Sequence, residues 1–198
     1  MNWLAHLHLA DADGADRVGN LLPDMARKRE CDAMPATIRR GVARHRFVDT
    51  YLDHHPMYFR SRARLKPPFR RFAGIIVDVF YDHYLTLHWA TYCDVPMLDF
   101  VGEACASMMP HLGVLPPAPQ RIIPRMCREG WLVGNGTIDG IARTLGRIDR
   151  RLSRPAGLAG AARYLEAEWD GFEADFLAFY PELIHAVDEW KSRPSSAG

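Results

Sequence analysis

The chain has 198 residues, of which 48% are hydrophobic, and this length and composition favour one domain with a substantial core. Its 25 basic and 24 acidic residues leave a net charge of +1, which gives no indication of a nucleic-acid-binding protein. The short apolar start lacks a basic leading segment, and no apolar run approaches the roughly 20 residues of a membrane-spanning helix. We therefore expect a cytoplasmic protein.

The spacing of apolar residues predicts helices along almost the whole chain. Ile38, Val42 and Phe47 recur about one helical turn apart in a first long helix, 35–53, and a second is predicted from about Pro68 to Tyr92. Further helices are predicted over 96–111, 119–132, 138–152, 157–180 and 181–190, with a proline-rich loop over 112–120. No alternating run indicates a strand. The prediction is an all-α, single-domain helical bundle over 1–191, with a frayed tail over 192–198.

The four cysteines are widely spaced and form no C-x-x-C pair. They are Cys31, Cys93, Cys105 and Cys127. Neither a disulfide framework nor a structural zinc site is indicated, so we expect free thiols in a reducing compartment.

Two pairs of candidate metal ligands are spaced four residues apart within predicted helices. His45 and Asp49 occur in R-H-R-F-V-D-T, and Asp78 and Asp82 occur in D-V-F-Y-D-H-Y, where His83 follows directly. Residues four apart share one face of a helix, so each pair can direct two donor atoms at one point. This spacing indicates a divalent-metal site.

Each pair also has a purely structural interpretation. His45 and Asp49 could form a hydrogen-bonded pair within an exposed helix. The pair Asp78 and Asp82 lies in the most hydrophobic helix, where two buried like charges repel unless a cation or a proton intervenes. Asp78 could instead accept hydrogen bonds from other side chains, which ranks it below Asp82 and His83 as a ligand.

Further candidates lie near the start of the chain and beside His45. Asp24, in G-N-L-L-P-D-M, is a carboxylate in an apolar neighbourhood and a candidate ligand. Either Asp24 or Asp78 could act as the general base if it does not bind the metal. His6 could line the site, and the two arginines next to His45 could hold a phosphate through bidentate hydrogen bonds. These arginines are Arg44 and Arg46.

Charge is distributed unevenly along the chain. Basic residues dominate over 27–71, and acidic residues dominate beyond Gly157. The basic half could steer an acidic partner towards the metal site, or its side chains could pair with the acidic C-terminal helices within the fold.

Several motifs in the same order resemble those of the acyl carrier protein phosphodiesterases. They are M-N-W-L-A-H-L-H-L-A, G-N-L-L-P-D, H-R-F-V-D, D-V-F-Y-D-H-Y-L, H-W, W-L at Trp131 and F-L-A-F-Y-P. The resemblance extends from Met1 to about Pro181. It implies a small helical metalloenzyme, distantly similar to the HD-type phosphohydrolases. Such an enzyme uses Mn²⁺ to hydrolyse the phosphodiester between 4′-phosphopantetheine and a serine of acyl carrier protein.

The resemblance also implies roles for particular residues and a partner. By position in the motifs, metal and catalytic roles fall on Asp24, His45, Asp49, Asp82 and His83, and a possible metal role falls on His6. Acyl carrier proteins are small and strongly acidic, so a basic cluster could dock them. The cluster predicted for this role is Arg60, Arg62, Arg64, Lys66, Arg70 and Arg71.

Two other functions remain open at this point. An HD-like phosphohydrolase acting on a nucleotide or another small phosphoester would account for the same ligands. A non-catalytic helical protein that binds an acidic partner would account for the charge distribution. The sequence does not fix the oligomeric state.

Overall fold

The computed structural model describes residues 1–193, which form helices and no strand. The α-helices are α1 (Trp3–Leu9), α2 (Gly14–Leu21), α3 (Lys28–Asp32), α4 (Ala36–Asp53), α5 (Pro56–Arg64), α6 (Ala73–Leu87), α7 (Trp89–Tyr92), α8 (Met97–Met108), α9 (Pro117–Arg128), α10 (Ile138–Asp149), α11 (Ala162–Ala167) and α12 (Trp169–Ser192). Short 3₁₀ turns join several of them. Within this part of the chain, no helix combines the length and apolarity needed to cross a bilayer.

Helix α6 lies at the centre of the fold because it is apolar on nearly all sides. Its buried residues include Ile76, Val79, Phe80 and Tyr84, and it packs against α1, α5, α10 and α12. A helix that is hydrophobic all round is stable only when other helices cover it. The described helices share one core, which confirms the predicted all-α single domain.

Helices α2 and α4 pack more closely than ordinary side chains would allow. A Cβ atom added to Gly19 would lie 2.0 Å from the carbonyl oxygen of Ile38, and one added to Gly41 would lie 2.1 Å from that of Asp16. Only glycine fits at such a contact. The close contact brings Asn20 on α2 next to His45 on α4.

The predicted helices mostly exist, but their boundaries differ in ways that proline and capping explain. The helix predicted over 68–92 begins only at Ala73 and is interrupted at His88, where α6 ends and α7 follows. The loop predicted over 112–120 is partly helical. A 3₁₀ turn occupies Met109–Val114, and α9 begins at Pro117, where the missing proline N–H has no helical partner in any case.

The last two predicted helices are not separate. Pro181 lies inside the continuous helix α12, whose buried Tyr180 and Leu183 pack on either side of the proline. Packing into the core therefore holds the helix together across the proline. Ser192 is the last residue of α12, and positions 194–198 of the predicted tail lie outside the described residues.

The prediction of four free thiols is wrong for one pair. Helices α8 and α9 pack side by side and bring Cys105 and Cys127 to a Cα–Cα distance of 5.8 Å, where they form a disulfide. Cys31 and Cys93 are free. Spacing along the sequence gave no indication of this pair because helix packing alone brings the two residues together.

Candidate metal centre

Three side chains converge at one point beneath the start of the chain. His6 on α1, His45 on α4 and Asp49 on α4 each offer a donor atom, and these atoms all lie within 4.8 Å of one another. His45 Nε2 is 3.0 Å from Asp49 Oδ2, and His6 Nε2 is 3.4 Å from Asp49 Oδ1. Both imidazoles are buried, whereas the Asp49 carboxylate is partly exposed. The spacing of His45 and Asp49 therefore places two donors on one face, as predicted.

Asn20 fixes the orientation of both imidazoles. Its side-chain amide donates to the His6 carbonyl oxygen at 2.7 Å, so its Oδ1 accepts from His6 Nδ1 at 3.2 Å. Its backbone carbonyl accepts from His45 Nδ1 at 2.8 Å. With both Nδ1 atoms donating, each imidazole in its neutral form directs the lone pair of Nε2 towards Asp49. Metal-bound histidines are commonly held in this way.

The buried His6 Nε2 atom has no hydrogen-bond partner. Such an atom is costly in a folded protein unless something binds it. A divalent cation held by two imidazole nitrogens and one carboxylate would satisfy it, so the donor set fits a divalent metal ion.

The titration behaviour of the three groups follows from this arrangement. Burial and the neighbouring His45 lower the pKa of His6 to about 4. Burial also disfavours a charge on His45, but the hydrogen bond to Asp49 and the nearby Asp24 outweigh it and raise the His45 pKa. Burial opposes ionisation of Asp49, yet the α-amino group of Met1 and the two imidazoles keep its pKa well below the usual range. Without metal, His45 is the favoured site for a proton.

Two further carboxylates border the cluster. Asp24 Oδ1 is 3.8 Å from His45 Nε2, and Asp24 Oδ2 accepts a hydrogen bond from Trp3 Nε1 at 2.9 Å. Asp78 accepts from the Tyr58 hydroxyl at 3.1 Å, and burial raises the Asp78 pKa to about 6. The α-amino group of Met1 lies 3.1 Å from Asp49 and 3.7 Å from Asp78. The α-amino group of Met1 thus places a positive charge beside Asp49 and Asp78.

A cavity of about 200 Å³ opens beside these carboxylates. Its lining includes Trp3, Asp24, Asp78 and Arg151. A narrower crevice of about 40 Å³ shares Trp3 and Arg151 with it and adds Trp131 and Arg147. The indole rings of Trp3 and Trp131 stack with centroids 6.0 Å apart, and the Arg151 guanidinium lies over the Trp3 ring. The cavity combines carboxylates, a cation and flat apolar walls.

Asp82 and His83 lie outside the cluster of three. Both Asp82 oxygens accept backbone N–H groups at the start of α1, from Leu4 at 3.0 Å and from Ala5 at 3.1 Å. His83 Nδ1 lies 2.6 Å from the Asn135 carbonyl, and its ring packs edge-on against Trp169. The sequence motif predicted both as ligands, but consecutive residues of a helix point about 100° apart, and here each meets a different neighbour.

The two arginines that flank His45 point away from it. The buried Arg44 pairs with Asp16 and with Asp11, the latter at 2.7 Å. Arg46 donates to Asp32 at 3.1 Å. Both guanidinium groups thus pair with carboxylates outside α4, Arg44 in the core and Arg46 at the surface, and neither lines the cavity or the crevice.

Some residues of the basic cluster predicted as a docking face form ion pairs within the fold. Arg60 and Arg64 on α5 pair with the buried Asp175 of α12, and Arg64 also reaches Glu168. The Arg62 guanidinium lies over the Tyr58 ring. The remaining three, Lys66, Arg70 and Arg71, are exposed. For two of the six residues, the alternative of pairing with acidic C-terminal helices is therefore correct.

Sequence reasoning missed several residues that shape the site. Asn20 stands inside the quoted motif G-N-L-L-P-D, and Trp3 inside M-N-W-L, but neither type is a usual metal ligand. Arg151 lies more than a hundred residues after His45 along the chain, and only helix packing places it at the cavity. The single available signal was the position of Asn20 and Trp3 inside the motifs.

The comparisons with known proteins agree with the motifs. A family model described as acyl carrier protein phosphodiesterase matches residues 1–183. Proteins of that name from Photorhabdus laumondii and Yersinia pestis are 32% and 34% identical over 189 and 187 residues. These matches cover 95% and 93% of this chain and 96% of each relative. A protein of the same name from Klebsiella pneumoniae is 33% identical over 189 residues, which cover 95% of this chain and 98% of the relative.

No solved structure matches the chain significantly. The predicted similarity to HD-type phosphohydrolases therefore stays a prediction. The family model and the relatives together cover nearly the whole chain, and they favour an enzyme over the non-catalytic alternative. The chain belongs to the acyl carrier protein phosphodiesterase family.

Proposed function

We propose that the protein is a metal-dependent phosphodiesterase that removes 4′-phosphopantetheine from holo acyl carrier protein and leaves the apo carrier protein. The observation that carries this proposal is the convergence of His6, His45 and Asp49 around a buried nitrogen without a partner. The name of the family supplies the substrate. We also keep the prediction that the reaction takes place in the cytoplasm.

His6, His45 and Asp49 would hold the ion, with Asp24 as a further ligand beside His45. Mixed nitrogen and oxygen donors suit Mn²⁺, and Asn20 orients both imidazoles for it. When bound, such an ion activates water and neutralises negative charge on a phosphate. Asp82 and His83 are not part of this ligand set.

Asp78 would act as the general base. Its pKa of about 6 lies near neutrality, so its carboxylate is largely free to accept a proton while remaining a stronger base than an ordinary aspartate. The Tyr58 hydroxyl, which donates to Asp78 Oδ1, would orient the carboxylate. This choice leaves Asp24, which is closer to His45, for the metal.

Arg151 would contact the phosphate in place of Arg44 and Arg46. It lines the cavity together with Asp24 and Asp78, so a phosphodiester beside these carboxylates meets a guanidinium. The flat indole rings of Trp3 and Trp131 would cover the pantetheine arm and exclude water from it.

A mass measurement on holo acyl carrier protein tests the proposal. We expect loss of phosphopantetheine with enzyme and Mn²⁺, and none with enzyme and a chelator. His45→Ala and Asp49→Ala should abolish the reaction, whereas the exposed His185→Ala is a matched control that should retain it. Faster turnover of a nucleotide than of holo carrier protein would favour the small-phosphoester alternative.

A further inference from the structure

A second basic region lies on α9, α10 and the turn that follows α10. Residues 121–154 contain eight arginines and three acidic residues. Glu129 accepts hydrogen bonds from Arg125 and from the Trp131 indole. Asp149 accepts hydrogen bonds from two backbone N–H groups of the following turn. Most of the arginine charge in this region is therefore not neutralised locally.

Several of these arginines line one open groove between α9 and α10. The basic groove, as we name it, has a volume of about 600 Å³ and is lined by four arginines and two acidic residues, Arg125, Arg143, Arg147, Arg150, Glu129 and Asp139. Arg143 and Arg150 are exposed. Partial burial and the nearby Arg143, Arg150 and Arg151 lower the pKa of Arg147. The guanidinium groups are thus close enough to repel one another, and an anionic partner would relieve that repulsion.

The basic groove is continuous with the candidate metal centre. Arg147 lines both the groove and the crevice that contains Trp3 and Trp131. Arg151 lines both this crevice and the cavity that contains Asp24 and Asp78. A partner seated in the groove would therefore lie at the entrance of the path that leads to the carboxylates.

The basic cluster on and after α5 lacks these properties. Two of its arginines, Arg60 and Arg64, are neutralised by α12, and none of its six residues lines the cavity or the crevice. The charges of Arg60 and Arg64 thus hold α5 to α12, and the exposed Lys66, Arg70 and Arg71 lie away from the cavity and the crevice.

We propose that the basic groove, and not the α5 cluster, is the surface on which an acidic carrier protein docks. The inference rests on the proposed function for the identity of the partner. It is argued from charge complementarity and from the continuity of the groove with the site. Charges at the rim of such an interface mainly govern encounter and the dependence on salt.

Binding of the apo carrier protein tests this inference separately from hydrolysis, because the apo form has no phosphopantetheine to lose. We would measure the anisotropy of a fluorescently labelled apo carrier protein titrated with the full-length enzyme. The test variant is R143E/R150E. The control R29E/R39E makes the same charge change at exposed arginines of α3 and α4, and R70E/R71E makes it in the α5 cluster.

We expect R143E/R150E to raise the Kd about tenfold or more, and the other two variants to change it less than about twofold. Circular dichroism of each variant establishes that it is folded. Equal weakening of binding by R143E/R150E and R29E/R39E would overturn the inference, since binding would then depend only on net charge. Weakening by R70E/R71E alone would also overturn it, because the α5 cluster would then be the docking surface. A DNA duplex that binds more tightly than the carrier protein would overturn the choice of partner. A normal binding pattern without phosphopantetheine release would refute the proposed reaction but not the docking surface.

Discussion

The imidazole rings of His6 and His45 stack face to face, with centroids 4.0 Å apart and planes inclined by only 12°. Two like rings in this arrangement gain little from each other, and a proton on one disfavours a proton on the other. The arrangement becomes favourable when both Nε2 atoms bind a common cation. The helices that carry the rings meet through Asn20 and the close packing of α2 on α4.

Asn20→Ala should weaken metal binding without removing any ligand. The variant loses the side-chain contacts to His6 and keeps the backbone contact to His45, so His6 becomes free to turn. We expect the Kd for Mn²⁺ to rise about 10- to 100-fold in calorimetric titration. Ser61→Ala, which removes another buried polar side chain, one bonded to Asp175 and Tyr81 and not to either imidazole, is the control. Equal Kd values for the two variants would contradict the role of Asn20.

Adding Mn²⁺ should stabilise the protein through the three ligands. At about 100 times the Kd, a ligand bound only to the native state contributes roughly 2.7 kcal/mol. For a chain of this size that corresponds to a Tm increase of roughly 5–10 °C in differential scanning calorimetry. His45→Ala and Asp49→Ala should lose the increase, and His185→Ala should keep it. An increase retained in all variants would place the ion elsewhere.

Metal binding should release protons from His45. The hydrogen bond to Asp49 and the nearby Asp24 raise the pKa of His45, so it keeps its proton to a higher pH than a free imidazole does, whereas His6, with a pKa of about 4, is already neutral near pH 7. An ion can bind His45 only after its proton leaves, so we expect proton release on binding and a fall in affinity as the pH falls. Calorimetry in two buffers of different ionisation enthalpy measures the release. A binding enthalpy that does not depend on the buffer would refute it.

Asp82→Asn should lower stability and leave metal binding intact. Asp82 caps α1 with both oxygens, a role that the Asn2 side chain does not fill. An asparagine offers one acceptor and turns an amide towards the other N–H, which costs about 1–3 kcal/mol at a buried position. The Tm should fall, while the metal content at saturating Mn²⁺ stays at the wild-type ratio. Loss of metal at an unchanged Tm would instead make Asp82 a ligand, as the motif suggested.

The sequence predicted what depends on local spacing. His45 and Asp49 lie one helical turn apart, so their convergence follows from the periodicity of α4 alone. The helical fold class followed in the same way from the apolar periodicity. His6 and His8 lie two residues apart and point to opposite sides of α1, so only His6 reaches the site, and His8 contacts Tyr92 and Tyr180 instead.

The sequence could not predict what depends on packing between distant segments. Three such contacts join residues that are far apart along the chain. Asp82 accepts hydrogen bonds from N–H groups of α1, acidic residues neutralise Arg60 and Arg64, and Cys105 forms a disulfide with Cys127. The identity of a residue in the sequence does not show which role it has. A carboxylate can bind metal, cap a helix or form an internal ion pair, and an arginine can contact a ligand or form an internal ion pair. Tertiary contacts decide between these roles.

Arg151→Ala should impair catalysis where Arg46→Ala does not. Arg151 lines the cavity beside Asp24 and Asp78, whereas Arg46 is paired with Asp32. If Arg151 contacts the phosphate, its loss should lower kcat/KM for holo carrier protein about 10- to 100-fold, which corresponds to the roughly 1.5–3 kcal/mol of a hydrogen bond to a charged group. Arg151→Lys should recover only part of this, because a lysine cannot form the bidentate contact. Steady-state kinetics measure kcat/KM for each variant. A larger loss of kcat/KM with Arg46→Ala than with Arg151→Ala would show that the phosphate contact lies on α4.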